Sequence, residues 1–361
     1  MDPGLVVEWI IKSVILLLIC LTGFAYLTLY ERKALARIQV RIGPNRAGPA
    51  GLLQPVADAV KLIFKEELIP AQADKLTFIL APIITVIPAL VIMAVVPFGN
   101  TITLFGRQIS MSIAGDINVG LLYITTVASI SVYGIVLAGW SSNNKYATMG
   151  GIRSTAQMIS YELALGLAFV GPILMAGSMS MGEIVRLQNQ IGWLVIYQPM
   201  GALIFLVATL AEVNRAPFDM PEAEQELTAG YHTEYSGMKF ALFFMAEYIK
   251  MIAVSVIAAT LFFGGYLGPF IDQVPLLGPI YLLIKVIILL FIMIWIRATL
   301  PRLRYDRLMA FGWKLLLPLA LINVFIVALG IILDALWLIP IAGVVIMVVS
   351  FSWVSYRLYR R

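Results

Sequence analysis

GWLVIYQPMGALIFLVATL (residues 192–210) and FALFFMAEYIKMIAVSVIAATLFF (residues 240–263) are apolar runs, each long enough to cross a lipid bilayer as a helix. Between them lies the polar stretch AEVNRAPFDMPEAEQELTAGYHTEYSGMK (residues 211–239). The segment from Glu212 to Glu247 holds seven carboxylates and only two basic residues, although the chain as a whole has a formal charge of +5. The pattern predicts a helical membrane fold in which an acidic segment connects two spans.

Composition supports this fold class and limits the chemistry. The chain has 361 residues, of which 61% are hydrophobic and 12% charged, and its mean hydropathy is +0.94. Most of the chain therefore cannot face water, which indicates an integral membrane protein. With one cysteine (Cys20) and one histidine (His232), it can assemble no internal disulfide and no zinc, haem or iron–sulfur site. It also has no phosphate-binding loop, dinucleotide fingerprint or activated nucleophile, so we expect any redox centre to belong to a partner.

Nine apolar runs predict nine helical spans in an all-α, polytopic membrane domain that covers residues 1–361. The runs lie near residues 8–30, 76–97, 119–140, 155–177, 193–211, 240–263, 280–297, 313–333 and 336–356. The loops on one side and the C-terminal tail contain 20 of the 25 Lys and Arg residues. These segments are residues 31–75, 141–154, 212–239, 297–314 and 357–361. The positive-inside rule therefore places them in the cytoplasm and the N terminus in the periplasm.

The first cytoplasmic loop contains a helix breaker and a short amphipathic segment. GPNRAGP (residues 43–49) interrupts any helix, because its prolines fix φ and its glycines permit tight turns. A helix of 12 to 14 residues is predicted to start at Pro55, with apolar residues on one side and charged residues on the other. It is too short to span, so it should lie along the membrane interface. It is either a surface anchor or the wall of an opening that faces the lipid.

Four ionisable residues fall inside predicted spans, where a charge is expensive. They are Glu162, Glu247, Lys250 and Lys285. Glu247 and Lys250 share a helix face, and Glu212 ends the span that precedes the acidic segment. Three carboxyls, from Glu162, Glu212 and Glu247, can thus converge from three helices. The alternative is that each residue reaches the interface or pairs internally, and this alternative is favoured for Lys285.

Two other polar features have simple interpretations. The arginines of residues 297–309 are either a solvated positive flank, or they pair with the carboxylates of the 212–234 loop or dock a soluble partner. His232 is interpreted as a hydrogen-bonded loop residue in preference to a proton shuttle.

Four long stretches resemble the H-subunit family of bacterial NADH:quinone oxidoreductase, respiratory complex I, whose mitochondrial counterpart is NADH dehydrogenase subunit 1. They are YERKALARIQVRIGPNRAGPAGLLQPVADAVKLIFKEE (30–67), AQMISYEL (156–163), AEVNRAPFDMPEAEQELTAGYHTEYSGMKFALFFMAEY (211–248) and RATLPRLRYDRLM (297–309). The resemblance covers nearly the whole chain, in order.

The resemblance implies a subunit that joins the membrane arm to the hydrophilic arm and forms much of a chamber into which quinone slides from the bilayer. Motif by motif, it implies proton-coupling roles for Glu162, Glu212 and Glu247. It implies quinone-chamber positions for Glu31, Arg32, Lys33, Asp58, Arg215, Asp219, Glu222, Glu224, Glu226, Glu234 and Arg297. Lys250 and Lys285 receive no role from it.

The same resemblance implies the cofactors and partners. Quinone is the substrate in the membrane, and NADH is the substrate of partner subunits, which hold FMN and the iron–sulfur clusters. This chain alone binds no cofactor or metal. Its partners are the other membrane-arm and hydrophilic-arm subunits and membrane lipid, with no nucleic acid. The location is the bacterial inner (plasma) membrane.

Three other functions remain open from the sequence. The chain can be the equivalent subunit of a membrane-bound hydrogenase or ferredoxin-type complex, a stand-alone proton or cation transporter, or a structural anchor. The GPNRAGPAGLLQP loop and the complete acidic segment favour the quinone-using form. A pure anchor leaves Glu162 and Glu247 without a reason to be buried.

Overall fold

The computed structural model of the protein describes residues 3–104, 107–114, 117–220, 228–271 and 273–359. Within these ranges the fold is a bundle of helices with one short hairpin. Seven helices there are long and apolar enough to cross a membrane, and two shorter apolar helices accompany them. The predicted helical, polytopic membrane fold is therefore confirmed.

The chain forms thirteen α-helices within the described ranges. They are α1 (Pro3–Ile38), α2 (Gln54–Ile63), α3 (Lys75–Val91), α4 (Gly120–Ser141), α5 (Lys145–Ala176), α6 (Met181–Ile191), α7 (Leu194–Tyr197), α8 (Pro199–Glu212), α9 (Gly237–Phe262), α10 (Leu277–Thr299), α11 (Tyr305–Phe311), α12 (Leu317–Ile332) and α13 (Leu338–Tyr359). A π-helical turn, Gly312–Leu316, joins α11 to α12, and together these three segments form one span of 28 residues.

Several helix boundaries differ from the sequence prediction. Helix α1 continues to Ile38, so its basic residues lie on a helix and not in a loop. Helix α5 begins at Lys145, ten residues before the predicted start, because the Asn144 side chain accepts a hydrogen bond from the Tyr146 amide and caps the helix. The amphipathic helix α2 has 10 residues instead of 12 to 14. The predicted fifth span is the 14-residue helix α8, preceded by the single turn α7.

The periplasmic side of the predicted topology contains structure that the sequence did not indicate. Strands β1 (Ile102–Leu104) and β2 (Arg107–Ile109) pair antiparallel, with Thr103 opposite Gln108. Helix α6 was also not predicted, because its mixed composition lacks the length and hydropathy of a span.

The core of the bundle is built around α5, which packs against α4, α8 and α12. Small residues allow close approach, which matters in a bilayer because lipid provides no hydrophobic force between helices. A Cβ atom at Gly134 of α4 would lie 2.1 Å from Thr85 Oγ1 of α3. At the start of α5, a Cβ atom at Gly150 would lie 2.5 Å from the Gly230 Cα. The 228–235 loop thus rests directly on the backbone of α5.

Candidate functional site

A buried network of ion pairs joins distant parts of the chain. Glu31 of α1 is 3% exposed and is paired with both Arg215 and Arg297. Arg215 Nη1 lies 3.2 Å from Glu31 Oε1, and Arg215 Nε lies 2.5 Å from Glu247 Oε1 of α9. The guanidinium of Arg215 also lies over the Tyr248 ring, 4.3 Å from its centroid. Four residues to which the resemblance assigns chamber or coupling roles therefore form one cluster.

The charge state of Arg215 follows from this cluster. Burial alone would lower the pKa of its guanidinium, but the carboxylates of Glu247 and Glu31 outweigh burial and raise that pKa. Three atoms of the cluster are buried and have no hydrogen-bond partner among the described residues. They are Arg215 Nε, which is ion-paired with Glu247, together with Arg215 Nη2 and Glu31 Oε2. A buried donor and a buried acceptor without partners can each form a hydrogen bond with a polar ligand or a water molecule.

The loop that carries Arg215 is held in place by a side chain that sequence reasoning missed. Gln157 of α5 is fully buried, and its Nε2 donates to the Ala211 carbonyl at 2.8 Å and to the Phe218 carbonyl at 2.6 Å. The same nitrogen lies 3.2 Å from Asn214 Oδ1. The only sequence signal was an amide side chain in a span, and nothing in the loop sequence identifies the partner because the acceptors are mainly backbone carbonyls.

A second ion pair fixes the end of this loop. Arg302 Nη2 lies 2.6 Å from Asp219 Oδ2, and Asp219 is 6% exposed. The Leu303 amide donates to the Pro217 carbonyl at 3.0 Å. Arg302 thus pairs with a carboxylate of the acidic segment, as one sequence interpretation had it, whereas Arg297 pairs with Glu31 of α1. Arg304 pairs with its exposed neighbour Asp306 at 3.3 Å.

Two small cavities are lined by the predicted proton-coupling acids. The first, of about 40 Å³, is lined by Glu162, Glu212 and Lys250 together with apolar side chains. The Ser129 hydroxyl donates to Glu162 beside it. The second, of about 20 Å³, is lined by Glu212, Glu247, Lys250 and His232. Neither cavity is lined by both Glu162 and Glu247, whereas Glu212 and Lys250 line both cavities.

His232 lies at the second cavity in a neutral form. It is 5% exposed, and the rings of Tyr231, Phe240 and Phe243 surround it. Burial lowers the pKa of its imidazole to about 3. Neither ring nitrogen has a hydrogen-bond partner among the described residues, so the predicted hydrogen-bonded loop histidine is wrong in this respect.

A larger groove opens between α1, α2 and α9. Its volume is about 610 Å³. Most of its lining is apolar and includes Leu21 and Phe24 of α1, Ile63 of α2 and Met238 of α9. Arg32 and Asp58 form the polar end of the groove, with Arg32 Nη1 2.6 Å from Asp58 Oδ2. The amphipathic helix α2, with no buried residue of its own, is thus one wall of an opening.

Other predicted site residues lie elsewhere. Glu234 accepts a hydrogen bond from Asn144 Nδ2 at 2.6 Å, in a depression on the polar surface away from the buried network. Lys33 donates to the Ala50 carbonyl in the loop that precedes α2. Glu222, Glu224 and Glu226 lie outside the described residues. Lys285 donates to the carbonyls of Gly265 and Leu267, each at 2.8 Å, which agrees with the internally paired alternative.

The family model and the similar proteins all indicate the same family. The family model described as NADH dehydrogenase matches residues 11–328. The H subunit of NADH-quinone oxidoreductase from Thermomicrobium roseum is 50% identical over 329 residues, which cover 89% of this chain and 94% of the relative. The corresponding protein of Protochlamydia amoebophila is 52% identical over 307 residues, covering 85% and 92%. A third H subunit, from Geobacter sulfurreducens, is 50% identical over 330 residues, covering 89% and 94%. The chain therefore belongs to the NADH dehydrogenase family.

Proposed function

We propose that this chain is the membrane-arm subunit of a proton-translocating NADH:quinone oxidoreductase that forms the quinone chamber at the junction with the hydrophilic arm. In the proposed mechanism it also contains the first carboxylates of the path that couples quinone reduction to proton movement. The observation that carries the proposal is the buried network of Glu31, Arg215, Glu247 and Arg297, which leads through Glu247 into the cavity at Glu212.

The groove supports a lipid-soluble substrate. A quinone has a long apolar tail and a small polar head, and the groove has apolar walls with an ion pair at one end. Its volume of about 610 Å³ lies in the range of small-molecule sites. In this proposal, quinone passes between α1, α2 and α9, and the head group moves on towards the polar loops.

The network supports coupling to protons. Reduction of a quinone takes up two protons and changes the charge of its surroundings, and in a site with little water such a change acts strongly on nearby carboxyl groups. The unpartnered Arg215 Nη2 and Glu31 Oε2 offer a donor and an acceptor to the head group or to its waters. Protons then redistribute among Glu247, Glu212 and Glu162, and we treat these three acids as a coupled set.

Partners, cofactors and location follow from the same proposal. Electrons reach quinone from an iron–sulfur cluster in a neighbouring hydrophilic-arm subunit, and NADH and FMN belong to other subunits of the complex. The chain lies in a bacterial inner membrane, with the N terminus in the periplasm and the Arg-rich loops in the cytoplasm. Within the described residues, no group of three or more His, Cys, Asp and Glu side chains is arranged to hold a metal ion.

The decisive experiment is purification from the native membrane in mild detergent through a tag on this chain. Co-purifying flavin and iron with inhibitor-sensitive NADH:quinone activity are the expected result. Nickel with hydrogen evolution would instead assign the chain to a membrane-bound hydrogenase. Ion transport by the isolated chain in liposomes would contradict the proposal in favour of a transporter.

The coupling role is tested in the same complex with Glu212→Gln and Glu247→Gln. Each variant should lower quinone-linked turnover, while the complex still assembles and still passes electrons to a soluble acceptor. Full turnover and proton pumping in both variants would remove the proposed carboxylate path.

A further inference from the structure

Lys250 lies at the boundary between the two small cavities. It is one turn along α9 from Glu247, and together with Glu212 it lines both cavities. One of these cavities also exposes Glu162, and the other exposes Glu247 and His232. Among the described residues, Lys250 is therefore the basic side chain that lines both cavities, and the three coupling acids line one or both of them.

The contacts of Lys250 differ from those of the other lysine in a neighbouring span. Lys285 is held by two carbonyl oxygens at 2.8 Å and lies over the Trp193 ring, 5.3 Å from its centroid. Lys250 has no hydrogen bond or ion pair with any described residue, although the two cavities that it lines are also lined by Glu212, Glu162 and Glu247. It is thus near three carboxylates without being fixed to one of them.

The side chain of lysine suits this position. Its ammonium is a compact charge on a flexible four-carbon stem with three rotatable donors, whereas arginine is a planar fork that favours fixed, two-bond pairing. A charge fixed on one carboxylate would favour the ionised form of that acid alone. An unfixed ammonium beside a cavity can stabilise negative charge on several acids in turn.

We propose that Lys250 is a positioning residue for proton transfer, whose ammonium stabilises negative charge on Glu212, Glu162 and Glu247 as protons move between the two cavities. This inference rests on the proposed function, since it concerns the same carboxylates. Arg215 cannot replace Lys250 because it is already engaged by Glu31 and Glu247 at the far side of the second cavity. Among the residues that the structure describes, no basic group other than Lys250 lines the cavity that Glu162 and Glu212 share.

The test uses the whole complex with Lys250→Met, Lys250→Gln and Lys250→Arg, and with Lys285→Met as the matched control. All rates are normalised to flavin content and to electron flow from NADH to a soluble acceptor. Lys250→Met should lower quinone-linked turnover and proton translocation about tenfold, the factor that corresponds to one pH unit in a proton equilibrium. The KM for quinone should not change, because Lys250 does not line the groove.

The conservative variant separates a role of charge from a role in packing. Lys250→Arg keeps the positive charge and should retain turnover within about threefold, since a fixed fork serves the acids less well. Lys285→Met should retain normal turnover per assembled complex. If Lys250→Met does not assemble, Lys250→Gln takes its place in the comparison.

The outcomes distinguish this inference from the function on which it rests. If Glu212→Gln and Glu247→Gln lose turnover while Lys250→Met keeps it, the role of Lys250 is wrong and the carboxylate path stands. If all three keep turnover, the path itself is wrong. If Lys250→Arg is as impaired as Lys250→Met, or if no Lys250 variant assembles, the residue serves packing or folding and the inference fails.

Discussion

Arg215 holds together two carboxylates that belong to different helices, Glu31 of α1 and Glu247 of α9. The side chains of Arg215 and Glu31 are 6% and 4% exposed, so neither charge is compensated by bulk water. Loss of Arg215 would leave Glu31 with Arg297 alone and would remove the cation beside Glu247. Such a loss in a buried network is far more damaging than the loss of a surface ion pair.

We therefore expect Arg215→Gln to destabilise the complex by about 3–5 kcal/mol, because Glu31 and Glu247 lose their shared cation. Thermal unfolding of the purified complex measures the change. Arg304→Gln is the matched control, since Arg304 and its partner Asp306 are 77% and 73% exposed and the pair contributes little. Equal unfolding temperatures for the two variants would contradict the structural importance of the Arg215 network.

His232 makes stability depend on pH in a defined window. Its imidazole has an ordinary pKa of about 6.5 in an unfolded chain, and burial lowers that pKa to about 3 in the folded loop. Between these two values the unfolded state binds the extra proton, so stability rises with pH. The stability is complete above about pH 6.5 and is lost as the pH falls below it.

For this reason the wild-type complex should lose about 1.4 kcal/mol of stability for each pH unit below 6.5, over and above any other acid effect. His232→Gln should remove this component, because glutamine does not titrate. The measurement is the difference in thermal stability between wild type and variant at pH 7.5 and at pH 5.5. A difference that stays constant with pH would mean that folding does not lower the pKa of His232.

Only some residues of the site could be predicted from the sequence. A buried acid is recognisable in the sequence because it interrupts or ends an apolar run, and Glu162, Glu212 and Glu247 were identified in that way. Lys250 was noticed as buried, but its place between two cavities depends on how three helices pack. Gln157 was missed because its main acceptors are the backbone carbonyls of Ala211 and Phe218. Every residue has a backbone carbonyl, so such an acceptor cannot be identified from the sequence.

At the scale of elements, the loop from Ala211 to Met220 depends on α5. Gln157 donates to both ends of the turn that carries Arg215, while Arg302 holds Asp219 and the Leu303 amide holds the Pro217 carbonyl. Backbone contacts of this kind fix the path of a loop, and the path in turn fixes where the Arg215 guanidinium points.

We expect Gln157→Leu to loosen this loop, because it removes the side-chain donor that ties the Ala211 and Phe218 carbonyls to α5. The cost should be about 0.5–1.5 kcal/mol for each hydrogen bond lost. Hydrogen exchange of residues 211–220 should become faster, and quinone-linked turnover should fall as Arg215 loses its position. Gln190→Leu, at an exposed position on α6, is the control. Unchanged exchange in the 211–220 segment would show that other contacts suffice to hold it.

Element boundaries were less predictable than element identity. Apolar length identified the spans, but the start of α5 depends on a cap at Asn144, in a polar stretch with two glycines that resembles a loop. The hairpin of β1 and β2 has strands of three residues, which are too short to show a strand pattern. Helix α6 has its buried residues at helical spacing, but it is too short and too mixed in composition to stand out as a span. The short α8 shows the reverse case, in which a run of 19 residues divides into a turn and a 14-residue helix at Gln198 and Pro199.

At the scale of the whole molecule, many large apolar side chains point outward. Ile10, Val14 and Leu18 of α1 are all more than half exposed, and the same is true of Leu283 and Ile288 of α10. In a bilayer such surfaces face acyl chains or the helices of other membrane subunits. The positive-inside rule also predicts how the protein is oriented in the membrane, and labelling can test this orientation directly.

We expect Met179→Cys to react with a membrane-impermeant maleimide from the periplasm and Lys145→Cys to react only after the cytoplasmic side is exposed. Both positions are exposed in the fold, whereas the native Cys20 is 2% exposed and should give little background. Labelling of intact cells and of inverted vesicles distinguishes the two sides. The opposite pattern would invert the topology and place Glu31, Arg215 and Arg297 on the periplasmic side.

The ion pairs of Glu31 with Arg215 and Arg297 also have a consequence for biogenesis. Glu31 leaves the ribosome 184 residues before Arg215 and 266 residues before Arg297. At translation rates of about 5–20 residues per second, the first helix waits on the order of 10 to 50 s with an unmatched carboxylate. Until then the Glu31 carboxylate, at the cytoplasmic end of α1, must stay in contact with water, so α1 can reach its final packing only after most of the chain has been synthesised.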